Sequence, residues 1–353
     1  MTQSDKVLVV GPSWVGDMVM AQALYRLLKQ RNAAAEIHVV APPWSLPVLE
    51  RMPEVTRGIE LAVAHGELGI GRRRALGRQL RGENYSRAIV LPRSAKAALV
   101  PWLARVPRRT GFRGEWRYGL LNDVRVQSAS FDQTVKRFVA LGREPDELAA
   151  ALPADLYPRL SVSAANQERL RAEHGLSARE PLIALMPGAE YGAAKRWPAA
   201  RFAELARWLA GGGTNVIVLG SAKERPLGDE IAAAAGQSRV RNLCGTTSLA
   251  DVIDLAAAAD AAVSNDSGLL HVAAASGTPV VAIYGSSSPE LTPPLTASAA
   301  VVYLGIECSP CFERECPLGH LRCLTEISVE RVEAALAQLR RARDLPARGR
   351  VDG

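Results

Sequence analysis

The sequence predicts an α/β chain of two doubly wound, parallel-sheet domains. Short β-rich runs alternate with helical stretches along its whole length, the rhythm of βαβ units. At 353 residues it exceeds what one core usually fills. Several of the apolar runs end in glycine-bearing loops that lead directly into a helix, as at Gly11–Asp17 and Gly188–Pro198.

In the first half the expected strands are 6–11, 36–41, 57–61, 86–91 and 108–112. The helices between and after them are 17–31, 43–51, 69–82, 94–104 and 131–142. The segment Glu144 to Pro158, rich in Pro, Asp and Ala, leads to a helix at 164–174. Gly175, Ser177 and Pro181 then interrupt the pattern. The expected division is therefore 1–177 for the first domain and 178–345 for the second. The remainder, 346–353, is expected to be a disordered tail. In the second half the strands are 182–187, 215–220, 240–244, 261–264 and 280–284. Its helices are 199–210, 224–235, 249–258, 268–276 and a final 326–343. Ligands of such sheets bind at the carboxyl ends of strands, so the expected site is a cleft where the two domains face each other.

Apolar content of 48% and charged content of 22% fit an ordinary globular protein. No apolar run approaches the roughly 18–20 residues of a membrane helix. Met1–Lys6 leads straight into a strand without a signal-peptide core, so the expected location is the cytoplasm. Residues 1–150 hold 23 Lys+Arg against 14 Asp+Glu, whereas the rest is slightly acidic. A basic first half suits an anionic partner: nucleic acid, a lipid surface or a phosphorylated glycan. A solvated arginine-rich surface is the alternative.

Asp17 follows Gly11-Pro-Ser-Trp-Val-Gly16 at the mouth of the first strand. Gly11 and Gly16 allow a sharp turn and close ligand approach. A carboxylate there suits a general base for an acceptor hydroxyl; a helix cap is the plainer alternative. The spacing is not Gly-x-Gly-x-x-Gly, which disfavours a nicotinamide dinucleotide. In the second half Lys195 and Arg196 precede Trp197-Pro198. Two fixed cations suit a diphosphate leaving group. Asp266, Ser267, Gly268 and His271 lie in Ser264–His271, where free helix-start N–H groups can receive phosphate and Asp266 sugar hydroxyls. Glu224 is placed for ribose hydroxyls, and the turn with Thr247, Ser248 and Leu249 for contact with a purine by backbone groups. Arg72, Arg73, Arg93, Lys96, Arg113 and Arg117 are candidate acceptor contacts, the last two in Gly111–Tyr118, where aromatics and cations interleave. No nucleic-acid module is recognisable, which favours a glycan partner. Cys308, Cys311, Cys316 and Cys323 cluster in a spacing that fits no standard zinc module. They suggest a structural clip, with metal or as reduced thiols.

Together, Gly11–Met18, Arg109–Asn122, Met186–Pro198, Asn265–His271 and Cys308–His320 resemble glycosyltransferase family 9 over about residues 6–340. The resemblance implies a GT-B fold and an inverting, metal-independent transfer. It implies ADP-L-glycero-β-D-manno-heptose as donor and no cofactor. The acceptor would be the first heptose of the lipopolysaccharide inner core, on a Kdo-bearing lipid A precursor. The cysteine segment resembles that of the enzymes adding the second heptose. By the same resemblance Asp17 is the base, Lys195 the diphosphate lysine, Asp266 the donor-sugar aspartate and Gly268 the helix-start glycine. Glu224 and 245–249 fall where the family contacts ribose and adenine. The partners expected are a nucleotide sugar, an anionic glycolipid and peripherally the inner membrane, with the chain a monomer. Other readings are a different glycosyltransferase of this architecture, a sugar-nucleotide epimerase, or a non-catalytic glycolipid-binding protein.

Overall fold

The computed structural model describes residues 5–64, 66–128, 130–144, 147 and 152–344. The chain forms two compact units, residues 1–161 and 162–353. The expected tail at 346–353 lies outside the described residues, as does part of the 144–158 segment.

The first unit is built on β1 (Lys6–Val10), β2 (Glu36–Ala41), β3 (Arg57–Glu60), β4 (Arg87–Val90), β5 (Arg108–Phe112) and β6 (Asp123–Arg125). They form one sheet in the order β3-β2-β1-β4-β5-β6, every pair parallel. Val7, Leu8 and Val9 are wholly buried, as the middle of a sheet covered on both faces demands. The helices are α1 (Val15–Arg31), α2 (Leu46–Leu49), α3 (Ile70–Gln79), α4 (Leu99–Leu103) and α5 (Thr134–Leu141). Two expected helices break into pieces. Residues 43–51 give a 3₁₀ turn and then α2; residues 94–104 give a 3₁₀ turn at 95–98 and then α4. Pro47 and Pro101, which lack an N–H donor, fall inside these stretches.

The second unit opens with α6 (Ala164–Glu173), followed by β7 (Leu182–Met186), α7 (Ala199–Gly211), β8 (Asn215–Val218), α8 (Arg225–Ala235) and β9 (Val240–Asn242). Then come α9 (Leu249–Ala258), β10 (Ala261–Asn265), α10 (Gly268–Ala275), β11 (Val280–Ile283), β12 (Ala299–Val302), α11 (Arg322–Thr325) and α12 (Val329–Asp344). Its sheet runs β12-β11-β10-β7-β8-β9, again all parallel. Counted from each unit's first strand, both orders are 3-2-1-4-5-6, the doubly wound Rossmann order. The units change at 161/162, not at the expected 177/178, because α6 is tied to the second unit. Buried Asp254 on α9 accepts from the Ser163 N–H at 2.8 Å and from Asn166 at 2.7 Å.

Among the described residues, no helix is long and apolar enough to cross a membrane. Two of the four edge strands, β6 and β12, escape the sequence pattern. Asp-Val-Arg is short and charged, and Ala-Ala-Val-Val follows a Pro- and Ser-rich stretch without alternation.

Candidate functional site

In a doubly wound sheet the chain leaves the two central strands in opposite directions, and a crevice opens at their carboxyl ends. In the first unit those strands are β1 and β4. A cavity of about 560 Å³ opens there, lined by Gly11–Trp14 and Asp17 after β1 and by Leu91–Ser94 after β4. Asp17 is the third residue of α1, which begins at Val15 rather than at the expected residue 17. Its carboxylate therefore sits in the first turn, where the helix dipole favours negative charge. Trp14 holds the cap position in extended conformation, and Ser13 accepts from the Trp44 indole at 2.8 Å. Gly11 is not in a left-handed conformation. A Cβ there would lie 2.6 Å from the Met18 methyl, so Gly11 lets α1 seat on the sheet. Gly16 is a buried residue of the helix itself.

The basic candidates separate into two groups. Arg73, Arg93 and Lys96 line the cavity. Lys96 also donates to the carbonyls of Gly66 (2.9 Å) and Glu67 (3.1 Å), and Arg73 to that of Leu68 (2.9 Å). Arg72, Arg113 and Arg117 do not line it. Arg117 is a correction to the acceptor reading: it is buried, donating to the carbonyls of Phe112, Pro92 and Ser94. Burial pulls its guanidinium down to about 10. It clamps loops where a ligand contact was expected. Gln127 and Arg137 line the cavity but carry no sequence signal, since neither stands in a motif.

In the second unit the central strands are β7 and β10. The Lys195 ammonium meets the Asp266 carboxylate at 2.6 Å, with the side chains 18% and 5% exposed. Asn265 makes this meeting possible. Its Oδ1 accepts the Trp197 N–H at 3.0 Å and its Nδ2 donates to the Pro187 carbonyl at 2.7 Å. Buried Trp197 anchors the far end of the loop, donating its indole N–H to the Ile327 carbonyl. Sequence reasoning passed over Asn265, although a polar amide after four buried strand residues must find partners. The Tyr191 ring lies 5.1 Å from the Lys195 ammonium and 5.1 Å from the Arg314 guanidinium, while its hydroxyl donates to the Phe312 carbonyl. Gly192 is needed here, because a Cβ would fall 2.2 Å from the Arg314 carbonyl oxygen. The cysteine segment thus buttresses the lysine loop.

The Arg196 guanidinium donates to the Ala189 carbonyl at 3.1 Å and braces the loop. Ser248 caps α9 in a capping box with Asp251, so its N–H and hydroxyl are engaged, and the Thr247 hydroxyl donates to the Leu243 carbonyl. The purine contact expected of the 245–249 turn is through its backbone groups, on which these hydroxyl bonds do not bear. Leu249 is the first residue of that helix. Glu224 also serves a cap, accepting the Ser221 N–H at 2.7 Å. It remains beside the site: a Cβ on Gly188 would overlap its carboxylate. Ser267 occupies the cap position of α10 without a side-chain cap bond, its hydroxyl 3.4 Å from that of Ser264, and Gly268 is the first helical residue. His271 is buried on that helix. Burial lowers its pKa, Lys195 adds to the lowering, and Asp266 opposes both.

All four clustered cysteines are free thiols. Among the described residues no three His, Cys, Asp or Glu side chains converge to hold a metal. Burial pushes the Cys323 thiol up to about 11, helped by nearby Cys308, Cys311 and Cys316. Backbone N–H groups, led by that of Leu321, lower the Cys316 thiol.

Residues 73–322 match glycosyltransferase family 9 (heptosyltransferase). The lipopolysaccharide heptosyltransferase 2 of Salmonella typhimurium is 47% identical over 341 residues, covering 95% of this chain and 98% of that protein. Its Escherichia coli K12 counterpart is 47% identical, covering 93% and 96%. A solved E. coli ADP-heptose lps heptosyltransferase II superposes with a TM-score of 0.87 at 44% identity, covering 96% of this chain and all of that one. The chain therefore belongs to glycosyltransferase family 9, the heptosyltransferases, and its paired Rossmann-like units are those of the GT-B fold.

Proposed function

We propose that the protein transfers L-glycero-D-manno-heptose from ADP-heptose to the first heptose of the lipopolysaccharide inner core, with inversion. The observation that carries the reading is the division of charge between the two switch points. The first unit holds a carboxylate, Asp17, in a cavity edged by Arg73, Arg93 and Lys96. The second holds an ammonium, Lys195, kept in place by Asp266 and Tyr191. The names of the relatives support ADP-heptose and lipopolysaccharide as substrates.

Asp17 removes the proton of the acceptor hydroxyl. That oxygen attacks the anomeric carbon, the bond from that carbon to the diphosphate oxygen breaks, and ADP departs with the electron pair. One displacement inverts the anomeric centre. Lys195 and the N–H groups at the start of α10 stabilise the departing charge, so no metal is required. Asp266 takes donor-sugar hydroxyls and Glu224 the ribose. Arg73, Arg93 and Lys96 meet the anionic inner core. The enzyme works as a monomer at the cytoplasmic face of the inner membrane.

Release of ADP, followed with ADP-heptose in the presence and absence of a heptosylated acceptor, tests this. The expected outcome is release that depends on the acceptor. An acceptor-independent change of the donor sugar would instead indicate an epimerase, and no consumption of ADP-heptose would refute the reading.

A further inference from the structure

Three segments of the first unit are locked side by side. Lys96 donates to the carbonyls of Gly66 and Glu67, joining 66–69 to 94–96. The Glu115 carboxylate accepts the Ala95 N–H at 2.9 Å, and buried Arg117 reaches the carbonyls of Pro92 and Ser94. From these segments and the adjoining first turn of α3 project four large apolar side chains: Leu68 (52% exposed), Ile70 (57%), Trp116 (92%) and Tyr118 (59%). Arg93 and Arg113, flanking these segments, and Arg72 and Arg74 on α3 are also exposed.

Folding gives no reason for this arrangement. Trp116 contributes almost nothing to a core, and its φ of +42° is a left-handed conformation in which a bulky residue is strained. Strain held at an exposed loop tip points to function. Tryptophan and tyrosine beside arginines are the side chains that settle at a bilayer interface, ring in the headgroup layer and cation on phosphate. The unit carrying them is the basic one, with 23 Lys+Arg against 14 Asp+Glu in residues 1–150.

We infer that this surface docks on an anionic phospholipid bilayer, with Trp116, Tyr118, Leu68 and Ile70 entering the headgroup region. Gly66, Arg93, Lys96 and Glu115 of the same segments line the Asp17 cavity, so docking presents that cavity to the membrane. The inference deepens the glycolipid reading, and its test uses vesicles free of acceptor so that the two fail separately.

The full chain is floated with vesicles of phosphatidylcholine alone or mixed with phosphatidylglycerol, at low and raised salt. The expected result is salt-sensitive binding to the phosphatidylglycerol vesicles only. The double variant W116N/Y118S should weaken it at least ten-fold with an unchanged melting temperature, since asparagine tolerates the left-handed conformation. Removing one cation, R74Q, should weaken it roughly five-fold. The W116N/Y118S variant should keep its kcat/KM on a water-soluble, deacylated acceptor. Equal binding to both vesicle types, or full binding by the double variant, would overturn the inference. So would loss of activity on the soluble acceptor, which would make these side chains part of the acceptor site. A wild-type dimer that the double variant dissociates would identify a second copy as the occupant and overturn it too.

Discussion

Replacing Asp266 by Asn isolates the contact that holds the lysine loop in place. In the wild type the carboxylate is 5% exposed and the ammonium, 2.6 Å away, 18% exposed. The substitution keeps size and removes charge, leaving the Lys195 cation with the Tyr191 ring, 5.1 Å away, as its remaining electrostatic partner. Breaking a buried pair costs about 3–5 kcal/mol, and the residual exposure of Lys195 puts this one near about 3 kcal/mol. For a unit of roughly 190 residues, an unfolding entropy of about 2.1 cal/mol/K per residue converts that loss to a fall of about 7 °C in melting temperature. Lys195→Met should cost a similar amount, because it strands the carboxylate. The double variant K195M/D266N buries neither charge, so it should melt above the sum of the single effects, with a coupling of about 2 kcal/mol. Calorimetry of the full chain reads all three, on the transition that both single variants move. Additivity within about 0.5 kcal/mol would refute the reasoning, since it would mean the two groups do not interact. Binding adds a second readout. D266N should leave ADP affinity intact or tighter, because the ammonium is no longer shared, whereas K195M should weaken it at least ten-fold.

His271 is held neutral by burial, so its folded pKa lies below the ordinary value of about 6.5. As pH falls below that value the unfolded chain takes up the proton first and stability declines, by at most about 1.4 kcal/mol per pH unit. H271Q should flatten that part of the pH–stability curve; an unchanged slope would show that His271 protonates freely. Backbone N–H groups lower the Cys316 thiol, while burial holds Cys323 up to about 11 and Cys244 up to about 12. Iodoacetamide at neutral pH should therefore label Cys316 first, read by peptide mass spectrometry, and leave Cys244 and Cys323 unlabelled in the folded chain. Preferential labelling of Cys323 would contradict the placement of the segment.

The fold was legible because its central strands are continuous apolar runs punctuated by glycine, so both sheets announce themselves. What escaped was local competition. Proline broke two helices, one edge strand was short and charged, and another lacked alternation. Placement at the carboxyl ends of the central strands was legible for Asp17, Lys195 and Asp266. The site was illegible where a polar residue works for the backbone. Arg117, Arg196 and Ser248 look like ligand contacts in one dimension, yet each satisfies carbonyl or N–H groups that burial and helix ends would otherwise leave unmet. Asn265 is the converse, an unremarked amide on which the loop geometry depends.

Turnover of ADP-heptose by Asp17→Asn bears most directly on the proposed chemistry. Asparagine preserves the shape of the side chain in the first turn of α1 and cannot accept the acceptor's proton. With heptosylated acceptor present, kcat should fall by about 10²- to 10⁴-fold while ADP affinity and melting temperature stay at wild-type values. An Asp17→Asn enzyme that turns over at the wild-type rate would show that the base lies elsewhere and that the carboxylate only complements its helix.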